Sequence, residues 1–202
     1  MLFDTHVHLN DDIYENYDEI IKSALSENVG KMVVIGFDLN SSIKAVKIAK
    51  EYDFVYAAIG IHPSEANKAY KEDLIELEKL ICDKVVAIGE IGLDYHYDGV
   101  IKDNQKDLFI RQLKLAEKYK LPITIHSRDA CKDTVDILIE YKKCYTKGIM
   151  HCYAYSYEIA KILEKLGFSF AFGGVVTYKN AKEVKEVVSK LDIFKLFKLL
   201  QP

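Results

Sequence analysis

Short runs of branched and aromatic residues alternate with longer amphipathic stretches along all 202 residues of the chain. The strand-like runs are Leu2–His8, Lys31–Phe37, Val55–Ile61, Val85–Ile91, Leu121–His126, Gly148–His151 and Phe168–Phe172. Each is rich in Val, Ile, Phe or Ala and ends near Gly, Pro, His or Asp, as buried strands do. Between them lie Tyr17–Ser26, Ser42–Glu51, Lys71–Ile81, Asn104–Tyr119, Asp133–Tyr141, Glu158–Leu166 and Ala181–Leu191, which carry the helical period. In Asn104–Tyr119, Leu108, Gln112, Leu115 and Tyr119 fall near one face, with Lys and Glu elsewhere. Strict alternation of the two patterns predicts an α/β fold with a parallel sheet. The strands recur at intervals of about 25–35 residues, as in (β/α) barrels. An open doubly wound sheet shares that rhythm.

The polar residues separate the two folds. His8, His62, Glu90 with Asp94, His126 and His151 all stand at the carboxyl ends of different strands. A barrel gathers those ends into one mouth, where its active site lies. An open sheet spreads them along an edge and favours a glycine-rich loop after the first strand. Here that loop reads Asn10-Asp11-Asp12. The pattern therefore predicts a (β/α)8 TIM-type barrel. Such barrels usually need about 250 residues, so the expectation is a single domain, 1–202, truncated after about seven β/α units and C-terminally incomplete. The segment 190–202 is apolar but ambiguous and could begin an eighth strand. Strands one and seven would then leave an open edge, a pairing hazard.

Composition narrows the partners. Half of the residues are hydrophobic, enough for one good core. The net charge of −3 comes with no basic stripe of the kind that binds duplex DNA broadly. Contact with nucleic acid would have to be local and metal-assisted. Cys82, Cys131, Cys144 and Cys152 have no CxxC pairing and read as free thiols of a reducing compartment. With no basic n-region and apolar h-region, and no membrane-length apolar run, the expected location is the cytoplasm, with no membrane partner.

The candidate chemistry begins at Asp4-Thr5-His6-Val7-His8. Strand alternation sends Asp4, His6 and His8 to one face, where two imidazoles can hold one cation. Asp4 could orient one of them by accepting its other N–H. Two hydrogen-bonded core histidines are the plainer alternative. Glu90, at the end of a buried strand, is costly unless a salt bridge or a cation compensates it. Asp94, one loop further out, reads as a cap or a substrate contact rather than a ligand. His126 and His151 each read as structural histidines when taken alone, but less so when all converge on one mouth. Imidazole and carboxylate donors suit Zn, Mn, Fe or Ni, with Mg at a carboxylate-rich site. Arg128 could clamp a phosphate bidentately or pair with Asp129 or Asp133. Lys179 could reach the mouth or lie in solvent, and His62 could donate to substrate or brace its loop. Cys152 points away from the mouth and reads as packing. Two cations about 3.5–4 Å apart acidify a shared water, which then attacks phosphorus or a carbonyl carbon.

Six motifs together resemble the TatD-type metal-dependent deoxyribonucleases, TIM barrels of the amidohydrolase-like superfamily. They are Asp4-Thr5-His6-Val7-His8-Leu9, Gly60-Ile61-His62-Pro63, Gly89-Glu90-Ile91-Gly92-Leu93-Asp94-Tyr95, His126-Ser127-Arg128, His151-Cys152-Tyr153 and Val176-Thr177-Tyr178-Lys179-Asn180-Ala181. The resemblance runs to about residue 190. It implies two divalent ions (Mg, Mn or Zn), one held by His6 and His8 and the other by His126 and His151, with Glu90 bridging. It places His62, Arg128 and Lys179 where substrate phosphate is expected. It implies hydrolysis of DNA phosphodiester bonds, with single strands or 3′ ends as the partner. The family carries a metal-ligating aspartate on strand eight, the expected proton acceptor. Here Lys198-Leu199-Leu200-Gln201-Pro202 has no acid, and Asp192 stands too early. Activity weakened by about 10²–10⁴-fold is the corresponding expectation. The alternatives are a hydrolase of a small amide, lactone or phosphoester on the same mouth, and a catalytically inactive remnant that binds only metal or a partner.

Overall fold

The computed structural model describes residues 1–14, 16–69, 71–192 and the backbone of 196–198. Its strands are β1 (Leu2–Val7), β2 (Val29–Ile35), β3 (Val55–Ile59), β4 (Val85–Asp94), β5 (Ile123–Arg128), β6 (Gly148–Met150), β7 (Phe168–Phe172) and β8 (Leu196–Lys198). They form one sheet in chain order, and every neighbouring pair is parallel. The helices are α1 (Tyr17–Ser26), α2 (Leu39–Glu51), α3 (Lys71–Lys79), α4 (Lys102–Tyr119), α5 (Cys131–Glu140), α6 (Tyr157–Lys165) and α7 (Lys182–Lys190). The seven expected β/α units are all present, curled as a TIM-type barrel. The short β8 falls in the ambiguous last segment and pairs with β7. Among the described residues β8 occupies the free side of β7, while β1 pairs with β2 alone, so the expected open edge persists beside β1 and is narrowed rather than closed.

Two apolar layers explain why the strands read as nearly continuous hydrophobic runs. On β2, Met32 and Val34 belong to the large core shared with helix residues Ala45, Ala49, Phe109 and Leu113. Val33 and Ile35 face the other way and cluster with Ala58 and Ala87. That second cluster contains no helix residue, so it marks the inner face of the curled sheet. Period-two alternation thus sorts β2 into an inner row and a helix-facing row.

Local chemistry sets the elements' ends. Asp38 caps α2: its Oδ1 accepts from Ser41 N at 2.7 Å, and Ser41 Oγ accepts from Asp38 N at 2.9 Å, a reciprocal capping box. Lys120 ends α4 in the left-handed region, with φ 55°. Strand β4 runs through to Asp94, three residues past its expected end at Ile91. Gly92 permits this, because its φ of +138° suits no L side chain and a Cβ there would lie 2.0 Å from the carbonyl oxygen of His126. Among the described residues no helix is long and apolar enough to cross a membrane, and the four cysteines are free.

Candidate metal centre

Glu90 is the hub of the barrel mouth. It is 5% exposed, and its carboxylate meets imidazoles from three other strands or strand ends. His126 Nδ1 lies 3.1 Å from Oε1, His6 Nε2 lies 3.5 Å from Oε2, and His151 Nε2 lies 3.9 Å from Oε1. His8 joins through His6, with their Nε2 atoms 3.1 Å apart. The ring of His151 stacks on that of His6 at 3.6 Å. All five expected ligand residues therefore converge.

Their grouping has its own pattern. His6, Glu90 and His151 bring donor atoms within 4.8 Å of one another, and His62, Asp94 and His126 form a second such group. Asp94, read from sequence as a cap or substrate contact, does both more and less. Its Oδ1 accepts from His96 N at 3.0 Å, while its Oδ2 lies 3.0 Å from His126 Nε2. Asp4 Oδ1 accepts from the backbone N–H of His6 at 3.0 Å, a bond that fixes the strand. The β1–β2 register shifts between Asp4 and Val7, which breaks the simple alternation assumed there.

The residues proposed for substrate are more dispersed. His62 closes over the second group, its ring edge-on to His126 at 4.3 Å. It also braces its loop, since His62 Nδ1 accepts from Ser64 N at 3.2 Å. Arg128 ends β5 and reaches Tyr97, donating from Nη1 to the phenol oxygen at 3.4 Å. Lys179 is exposed in the loop before α7, and among the described residues no hydrogen bond or ion pair joins it to the cluster. Cys152 is exposed after His151.

Two amides that sequence reasoning did not single out hold the strand ends in place. Gln105 Oε1 accepts from Asp94 N at 2.8 Å, and its Nε2 donates to Asp94 O at 2.8 Å. Gln112 treats Ile61 the same way, at 2.8 and 2.9 Å. Both are buried, and both lie on α4. Each supplies the backbone partner that a neighbouring strand would otherwise provide. Gln112→Leu should therefore lower stability by about 1–3 kcal/mol, because it strands a buried N–H and C=O. Urea unfolding of the variant checks this, and an unchanged midpoint would show that the clamp contributes nothing.

The donor set fits divalent cations. Neutral imidazoles and ionised carboxylates are the required ligand forms. Burial lowers His8, drives His62 down to about 4 and drives His151 down to about 3. These rings are neutral near pH 7. Burial alone would raise the Glu90 carboxyl, but His6, His151 and His126 outweigh it and hold it well below its ordinary range. The Nδ1 of His151 is buried with no hydrogen-bond partner among the described residues, and two imidazole nitrogens at 3.1 Å are placed to share one cation.

His126 runs the other way. Burial opposes its proton, but Glu90 and then Asp94 outweigh burial and raise its pKa above 6.5. A cation must displace that proton, so affinity should tighten as pH rises through the raised value and level off above it. The metal-free fold has the opposite sign: the His126 contribution to stability is full below 6.5 and fades as pH rises through the folded value. Calorimetric Mn²⁺ titration between pH 6 and 8, in buffers of different ionisation enthalpy, measures the released proton. Affinity that stays flat across that window would contradict the assignment.

Known proteins resemble this chain in sequence and fold. The family profile described as "TatD related DNase" matches residues 3–197. The chain is 49% identical over 193 residues to YabD of Bacillus subtilis, named an uncharacterized metal-dependent hydrolase, covering 95% of this chain and 76% of YabD. YcfH of Escherichia coli K12, named in the same way, is 30% identical over 200 residues, 96% of this chain and 75% of YcfH. Among solved structures, the TatD homologue YjjV of E. coli K12 superposes with a TM-score of 0.91 at 30% identity, over 97% of this chain and 77% of YjjV. A TatD family hydrolase from Entamoeba histolytica gives 0.84 at 26% identity, over 98% and 72%. The chain belongs to the TatD-related DNase family of metal-dependent hydrolases.

Proposed function

We propose that this chain hydrolyses DNA phosphodiester bonds with two divalent ions, Mg, Mn or Zn, acting on single strands and from a 3′ end. One observation carries the reading: a buried glutamate whose carboxylate lies within 3.9 Å of three imidazoles at the barrel mouth. His6 and His8 would hold one ion and His126 and His151 the other, with Glu90 between them, and Asp94 and His62 stand beside His126. When bound, such ions acidify water and neutralise charge on phosphate oxygens. Glu90 sets the spacing of the imidazoles around it. Asp94 Oδ2 stands 3.0 Å from His126 Nε2 and orients that ring. Arg128, at the rim, supplies a planar fork suited to phosphate. Lys179 would come to the same phosphate from the loop before α7. The choice of DNA is supported by the family the chain belongs to, and by Arg128 at the end of β5, the strand that carries His126.

A 5′-labelled single-stranded oligonucleotide incubated with Mn²⁺ or Mg²⁺ should shorten stepwise from its 3′ end, and EDTA should stop the loss. Turnover of small amides, lactones or phosphoesters with no attack on the oligonucleotide would overturn the DNA assignment and leave a metal-dependent hydrolase of small substrates.

A further inference from the structure

Asp94 also lines a recess beside the candidate centre. Pro63, Ser64, Asn67, Tyr97 and Gly99 help to form it, and its volume is about 260 Å³. That is below the roughly 300–1,000 Å³ of a site for a drug-sized molecule, so the recess suits a single ring system. Its conspicuous wall is Tyr97, which is 62% exposed. An exposed ring by itself means little. This one is held from several sides. The Arg128 guanidinium carbon lies 5.5 Å from the ring centroid, and its Nη1 donates to the phenol oxygen at 3.4 Å. The His96 ring stands edge-on at 5.1 Å and 82°, and His96 Nδ1 is itself fixed 2.8 Å from Asp129 Oδ2. A large aromatic surface is thus open to solvent yet orientationally restrained, which lowers the entropy cost of stacking something on it.

Charge then says what can enter. Asp94 and Asp98 line the recess and oppose an anion inside it. Arg128 stands at Tyr97, where an anion is welcome. A ligand with a neutral planar ring linked to a phosphate matches both demands at once. We infer that the recess binds one nucleobase of the substrate strand, stacked on Tyr97, with the adjoining phosphate at Arg128. This rests on the nuclease reading above and adds to it a base-binding subsite. Stacking of this kind tolerates any base, because every base has a π face. The subsite therefore anchors a strand without reading its sequence.

The test is fluorescence anisotropy with EDTA-treated full-length protein at low salt. The probes are a labelled single-stranded oligonucleotide and three copies, each with one abasic site among its last three nucleotides. Tyr97→Ala should bind the intact strand about tenfold or more weakly, in line with base–aromatic stacking, while Tyr97→Phe should keep its affinity. One abasic strand should bind the unsubstituted protein with the same loss, and Tyr97→Ala should add little to that loss. The subsite is overturned if Tyr97→Ala binds the intact strand normally, or if the abasic penalty is equal in both proteins. Should the unsubstituted protein trim DNA with Mn²⁺ while Tyr97→Ala binds normally, the recess proposal falls and the nuclease reading stands. Should it neither bind nor trim DNA, both fall together.

Discussion

Glu90→Gln should reduce metal-dependent hydrolysis by about 10²–10³-fold or more, the scale seen when one placed electrostatic group is removed from an active site. The substitution keeps the side chain's size and removes its charge. Three imidazoles then lose the anion they converge on, and the amide N–H₂ faces groups that are equally suited to donate. His126, raised by Glu90 and Asp94, should drop toward its ordinary pKa, so its proton release on metal binding should shrink as well. Turnover with Mn²⁺, metal content per chain and calorimetric proton release report these three effects separately. A variant that retained normal turnover and metal content would remove Glu90 from the centre.

Gly92→Ala should be the most damaging small substitution for the fold, at about 3 kcal/mol or more. Two costs add. The backbone stands at φ +138°, and the new methyl would meet the carbonyl oxygen of His126 at 2.0 Å. Since Gly92 pairs with His126 across β4 and β5, any relief moves a candidate ligand, so Mn²⁺ affinity should weaken with stability. Gly99→Ala is the informative control. Its φ is +79°, but nothing lies within 4 Å of the added carbon, so only the backbone cost of about 1 kcal/mol applies. Urea unfolding of the two variants separates strain from collision. Equal midpoints would mean that the close approach to His126 is easily relieved.

Much of this site is legible in the amino-acid sequence because the information is periodic. Ligands at strand ends follow from runs of branched residues that stop at His or Glu, and α1 and β7 fall at the expected bounds. Asp94 is undervalued for a concrete reason. A strand expected to end at Ile91 continues to Asp94 through a glycine whose conformation no pattern of hydrophobicity encodes. The faces of β1 are less legible because alternation assumes regular pairing, and β1 has an irregularity between Asp4 and Val7. The helical period does put Gln112 on the buried stripe with Leu108 and Leu115, but Tyr119 on the same stripe is 38% exposed. Nothing in the spacing says that an amide there will bond to a strand end more than fifty residues earlier, at 51 positions' separation.

Gln105 and Gln112 sit on a single rod, and each grips the main chain next to a different metal-side residue: Asp94 itself, and Ile61 just before His62. The two ends of β3 and β4 are thereby geared to one shaft. A change that slides or tilts α4, even on its solvent side, would carry His62 and Asp94 in step instead of pulling them apart. Tuning of this mouth is thus expected to come as paired displacements, inherited from the helix behind it.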